Sequence, residues 1–176
     1  MPIEISKKVC MLGSFGVGKT SLVRRFVYNL FDEKYLTTIG VQVSHKQLAP
    51  IHLPKTNDTV LVKIILWDLA HIDKLSEIIK NYFRGSHGAI VVFDITRPNT
   101  FSYYDVFLRP FVEMNPQSRI IFVANKIDLA GTEHSASDHF IALAEQHKVP
   151  YFYASAKTGE NVEPAFSQLG QMLIEA

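Results

Sequence analysis

Short apolar runs alternate along the chain with longer segments in which apolar residues recur at helical period, the pattern of a sheet joined by crossover helices. It predicts strands over Lys7–Leu12, Val41–Leu48, Val60–Trp67, Ala89–Asp94, Arg119–Ala124 and Pro150–Ala154. Helices are predicted over Lys19–Tyr28, Lys74–Phe83, Thr100–Met114, Ser137–His147 and Val162–Ile174. Runs such as Ala89-Ile90-Val91-Val92-Phe93 hold no polar position, so most strands are expected to be covered on both faces. Pro110 lies inside the third helix and should kink or divide it, because it lacks a backbone donor and clashes with the preceding turn. The segment from Pro50 to Asp58, with two prolines and an Asn-Asp pair, reads as the turn of an antiparallel hairpin.

At 176 residues and 47% hydrophobic content the chain fits one domain, large enough to bury roughly two thirds of its unfolded surface. No repeat, low-complexity segment or linker divides it. Eighteen Lys and Arg against 17 Asp and Glu leave a formal charge of +1, so no general field for nucleic acid or membrane surfaces exists and a ligand must be held by local chemistry. The single cysteine, Cys10, sits in the apolar run Val9-Cys10-Met11-Leu12 and is expected to be a buried core thiol. The start, Met1-Pro2-Ile3-Glu4-Ile5, lacks a signal-peptide pattern, no run approaches a membrane span, and the chain ends without a cysteine for lipidation. A cytoplasmic protein is expected, reaching membranes only through partners or a missing tail.

The strongest chemical signal is Gly13-Ser14-Phe15-Gly16-Val17-Gly18-Lys19-Thr20, a G-x-x-x-x-G-K-[ST] phosphate loop that follows a strand and opens a helix. Its glycines let successive N–H groups turn inward around phosphate oxygens, and the first helical turn adds partial positive charge. Gly13, Phe15, Gly16, Val17, Gly18, Lys19, Thr20 and Ser21 are the candidate phosphate contacts, with Lys19 reaching the terminal phosphates and the Thr20 hydroxyl on Mg²⁺. A second signal concerns the base. Asn125-Lys126-Ile127-Asp128 follows one strand and Ser155-Ala156-Lys157 a later one, both at the carboxyl edge if the strands are parallel. The Asp128 carboxylate can accept from guanine's N1–H and exocyclic amine, a donor pair adenine does not offer, while the Lys126 stem can lie on the purine. Alone, N-K-x-D is a common surface turn; behind a matched phosphate loop it reads as a guanine contact.

With these motifs in place the chain resembles a small GTPase of the Ras superfamily, Rab-like, over Lys8 to Ile174. Thr37-Thr38-Ile39-Gly40-Val41 is similar to a first switch, and the segment from Tyr82 to Asp94 is similar to the Rab stretch after the second switch. The resemblance implies an α/β fold, the G domain of P-loop NTPases, with a six-stranded mostly parallel sheet, one antiparallel edge strand and about five flanking helices. It implies that Thr38 binds Mg²⁺ and senses the γ-phosphate, Phe31 packs beside guanine, Tyr35 covers the phosphates and Asp68 holds the metal through water. It further implies a GTP/GDP switch that meets effector and regulator proteins through residues 31–81.

The chain leaves the family pattern in four places. Where the second switch has Gly-Gln, it has His71 and Ile72. Histidine keeps the N–H but restricts the peptide rotation that glycine permits, and isoleucine has no donor or acceptor to orient a water. Asp73 and His71 are the polar groups left nearby. Phe15 stands where a small residue is usual, narrowing the space beside the γ-phosphate, and with Ile72 it could form an apolar lid. The hairpin from Thr38 to Asp68 is longer than usual. Slow hydrolysis is therefore expected, at or below the ~10⁻⁴ s⁻¹ of unassisted Ras. The alternative is a GTP-bound scaffold with negligible hydrolysis; a P-loop kinase would need an acceptor site and a lid, and neither is evident. Seven histidines, His134, His139 and His147 among them, show no paired metal-ligand spacing.

Overall fold

The computed structural model describes residues 2–33, 40–54, 56–69, 77–102, 104–130 and 137–175. The element order is β1 (Ile3–Leu12), α1 (Lys19–Tyr28), β2 (Val41–Gln47), β3 (Ile51–Leu53), β4 (Asp58–Leu69), α2 (Glu77–Phe83), β5 (Gly88–Asp94), α3 (Tyr104–Met114), β6 (Arg119–Asn125), α4 (Ser137–His147), β7 (Tyr151–Tyr153) and α5 (Val162–Met172). The strands lie in the order β2-β4-β1-β5-β6-β7; β1, β4, β5, β6 and β7 are parallel, and β2 runs antiparallel to β4 at one edge.

The apolar runs are buried on both faces because their side chains alternate between two cores. Val9 and Met11 of β1, Ile90 and Val92 of β5, and Ile121 and Val123 of β6 point to the side of α1 and α5, where Phe26 stacks on Phe166 with ring centroids 4.0 Å apart. Cys10 and Leu12, Val91 and Phe93, and Phe122 and Ala124 point the other way, to Phe107, Phe111 and Phe140 of α3 and α4. Cys10 is buried as expected: its Sγ lies 3.2 Å from Ser86 Oγ, and burial pushes the thiol pKa up.

Three expectations are corrected. First, β1 begins four residues earlier than its apolar run, because Ile3 to Ser6 pair with Val60 to Lys63 of β4. Second, the segment after Pro50 is not all turn. Ile51 to Leu53 pair antiparallel with Asp58 to Val60, so β3 extends the edge begun by β2, giving seven strands in six positions among the described residues. Between the pairs Gln47↔Lys63 and Ile51↔Val60, three residues (Leu48, Ala49, Pro50) face two (Leu61, Val62), which is a β-bulge. Pro50 is tolerated there because an edge bulge needs no donor from it. Third, Pro110 does not divide α3, which runs unbroken from Tyr104 to Met114; the predicted longer helix is instead preceded by a separate 3₁₀ turn at Pro98–Phe101. Pro110 removes a bond to the carbonyl of Val106, an exposed residue where water can serve.

Candidate functional site

All the strands that carry the predicted motifs present their carboxyl ends at one edge. β1 delivers the phosphate loop, β4 delivers Asp68, β5 delivers Asp94, β6 delivers Asn125 to Asp128 and β7 delivers Ser155 to Lys157.

The loop's course depends on its glycines. Gly18 caps α1 at φ 99°, a conformation that residues with a Cβ avoid, and a Cβ there would lie 2.2 Å from Asn125 Nδ2. Gly13 passes so close to β5 that a Cβ would meet the Val92 carbonyl oxygen at 2.3 Å. Lys19 is buried, and its Nζ donates to the carbonyls of Gly13 (2.8 Å) and Ser14 (3.1 Å). Burial lowers its pKa to about 8, against the opposing pull of Asp68.

Thr20 Oγ1 donates to Asp68 Oδ2 at 2.5 Å. Burial pushes the Asp68 carboxyl above its ordinary pKa, opposed by the Thr20 bond and the charges of Lys19 and Arg24. Asp68 Oδ1 is buried and has no hydrogen-bond partner among the described residues, and neither has Ser14 Oγ. A buried orphan carboxylate oxygen beside a threonine hydroxyl fits a hard cation. Among the described residues no three His, Cys, Asp or Glu side chains gather to hold a metal. Mg²⁺ suits that sparse donor set, because it is usually bound by one or two protein oxygens plus phosphate and water.

At the base-reading end, Ser155 Oγ donates to Asp128 Oδ1 at 2.6 Å and accepts from Thr158 N at 3.1 Å, which holds the exposed Asp128 carboxylate in one direction. Asn125 joins the two ends of the site: its Nδ2 donates to the Val17 carbonyl (2.9 Å) and its Oδ1 accepts from Ala156 N (3.1 Å). The Lys126 ammonium donates to the Gly16 carbonyl at 2.7 Å, while its side chain stays 30% exposed. Phe31 is half-buried against the α1–α5 core, and Lys157 pairs with Glu33 at 3.4 Å. Phe15 is 43% exposed at the loop's apex. Ser21 lies half-buried in the first turn of α1. Tyr35, Thr38, His71 and Ile72, with Asp73 and His134, lie outside the described residues.

The sequence motifs leave out four residues that support this site: Arg25, Asp94, Thr96 and Arg97. Arg25, in α1, donates from Nε to the Ala156 carbonyl (2.8 Å) and from Nη2 to that of Lys157 (2.5 Å). Asp94, 1% exposed, accepts on Oδ2 from both Lys126 (2.7 Å) and Arg97 Nε (2.9 Å), and on Oδ1 from Thr96. Burial pushes the Asp94 carboxyl up, and the bonds from Lys126, Thr96 and Arg97 outweigh it and hold the pKa low. A charged residue closing an otherwise apolar strand was the available signal. A groove of about 470 Å³ between Arg109, Arg119 and Pro150 opens at the opposite, amino edge of β6 and β7 and takes no part in this arrangement.

The family model for the Ras family matches residues 8–175. The chain belongs to the Ras family. Ras-family proteins are small GTPases that bind guanine nucleotide, generally with Mg²⁺. Among curated relatives, the Ras-related protein Rab-1 of Theileria parva is 33% identical over 168 residues, covering 94% of this chain and 73% of that protein. The Ras-related protein Rab-7b of Mus musculus is 30% identical over 171 residues (94% and 81%), and the Ras-related protein RabC of Dictyostelium discoideum 33% over 172 (97% and 85%). Within the Ras family the chain is thus Rab-like. Among the described residues of this Ras-family chain, no helix is long and apolar enough to cross a membrane.

Proposed function

We propose that the protein is a guanine-nucleotide switch that binds GTP and GDP, hydrolyses GTP slowly, and changes the loops at residues 31–40 and 68–81 between the two states to control effector and regulator proteins, which it meets through residues 31–81. The observation that carries this reading is the pairing of a phosphate loop around a buried Lys19 with a Ser155-oriented Asp128 at the same sheet edge, coupled through Asn125. The loop amides and Lys19 would hold the phosphates, and Asp128 would accept from the guanine edge. Ser155, Ala156 and Lys157 would close the base side, with Phe31 beside it. Thr20 and Asp68, with Thr38 from the first switch, would hold Mg²⁺, which when bound neutralises charge on the terminal phosphates.

Hydrolysis needs a water aimed at the γ-phosphate. Ile72 offers no hydrogen bond for that purpose, His71 stands where glycine gives freedom, and Phe15 narrows the approach of an assisting arginine. Turnover at or below ~10⁻⁴ s⁻¹ follows. Single-turnover hydrolysis of bound GTP is the test: turnover near assisted rates without a partner would overthrow slow hydrolysis. Lys19→Ala and Thr20→Asn should impair nucleotide and Mg²⁺ binding respectively, and unchanged GTP affinity in both would overturn the site. Because the changes fall on hydrolysis and not on binding, a GTP-bound scaffold is the second reading. Nucleotide-dependent shape change without turnover would favour it.

A further inference from the structure

Three consecutive carbonyls of the phosphate loop are held from outside by three side chains. Arg97 Nη2 donates to the Phe15 carbonyl (2.9 Å), Lys126 Nζ to that of Gly16 (2.7 Å) and Asn125 Nδ2 to that of Val17 (2.9 Å). In a planar trans peptide the N–H points opposite to the C=O. Fixing these carbonyls outward therefore turns the N–H groups of Gly16, Val17 and Gly18 toward the concave side of the loop. Asn125 and Lys126 belong to the motif already described. Arg97 does not, and it holds the peptide most in need of holding: Phe15–Gly16, at the apex, where Gly16 sits at φ 71° and has no Cβ to resist a peptide flip.

Arg97 is itself well anchored. Its backbone N–H donates to the Asp94 carbonyl (2.9 Å), and its own carbonyl accepts from Thr100 N (2.9 Å) and Thr100 Oγ1 (2.8 Å). Its Nε lies on Asp94 Oδ2, the oxygen that also receives Lys126. One buried carboxylate thus aligns two cations that grip adjacent carbonyls of the loop. The planar guanidinium can serve Asp94 and Phe15 at once in a fixed geometry; an ammonium is a point charge without that fork.

We propose that Arg97, aligned by Asp94, is a positioning residue of the phosphate loop: it sets the Gly16 N–H toward the phosphate chain, so that it governs retention of the polyphosphate and not of the guanosine. This rests on the nucleotide reading above. The test measures affinity of the full chain for GDP and for GMP by displacement of a fluorescent GDP, with far-UV circular dichroism and the thermal midpoint confirming the fold. Arg97→Ala should weaken GDP about tenfold, the scale of one oriented hydrogen bond to a charged group, and leave GMP unchanged. Arg97→Lys, which keeps the charge and a donor and perturbs the fold less, should fall between alanine and wild type. Equal loss for GDP and GMP, or no loss of either in both variants, would overturn the proposal. Failure of the wild-type chain to bind GDP at all would instead overturn the nucleotide reading.

Discussion

Raising the pH from 7 to 8.5 should discharge Lys19 in the free protein, because burial lowers its pKa to about 8. Bound phosphates add negative charge beside the ammonium and raise that pKa, so Lys19 is charged in the complex across this range. Binding is then independent of pH well below 8; above it, binding must first protonate the lysine. With a free-state pKa of about 8, the charged fraction falls from about 0.9 at pH 7 to about a quarter at pH 8.5, so GDP affinity should fall about fourfold. The phosphate's second ionisation, near pH ~6, is already about nine-tenths complete at pH 7, so it adds little to the slope over this range. Fold stability should respond with the opposite sign. The folded state binds fewer protons at Lys19 than the unfolded chain between about 8 and the ordinary lysine value of 10.5, so this group favours the folded state increasingly as pH rises through that window. Isothermal titration of GDP at constant Mg²⁺ and ionic strength measures the first effect. Lys19→Arg, which stays charged, should bind with a flat profile. A flat wild-type profile, or the same slope in the arginine variant, would refute the reasoning.

Gly18→Ala places a Cβ 2.2 Å from Asn125 Nδ2 at φ 99°; the strained backbone and displaced amide should cost about 3 kcal/mol in denaturant unfolding and weaken GDP binding. Phe26→Ala removes one of two rings stacked at 4.0 Å in the α1–α5 core and should lower stability by about 3–5 kcal/mol, read as a lower thermal midpoint. Ile72→Gln combined with Phe15→Gly should raise single-turnover hydrolysis more than the product of the separate effects if both act on one space, whereas simple multiplication would separate the two positions.

Much of the sheet is legible in the sequence because the runs around Val9, Val91 and Val123 are apolar at successive positions, and only a strand between two helix layers buries both faces. The phosphate loop is legible for a different reason: its glycines, Lys19 and Thr20 sit in one short stretch whose spacing is set by the ligand's size. Where reading fails, the cause is long range. β3 was hidden by Pro50 and Pro54, which read as turn residues until the register of β4 shows the bulge that accommodates one of them. The Asp94–Arg97 support was hidden because its meaning comes from the pairing Asp94↔Asn125, which brings two distant strand ends together. Asn125 belongs to the N-K-x-D motif, and its bonds to Val17 and Ala156 make it also the joint between loop and base edge.

The central claim, a guanine nucleotide held jointly by the Lys19 loop and the Asp128 edge, is tested most directly by competing GDP and ADP against a fluorescent GDP on the full chain with Mg²⁺. The account predicts strong displacement by GDP and none by ADP at the same concentrations, because adenine offers no donor pair to Asp128. Equal displacement by both nucleotides would contradict it.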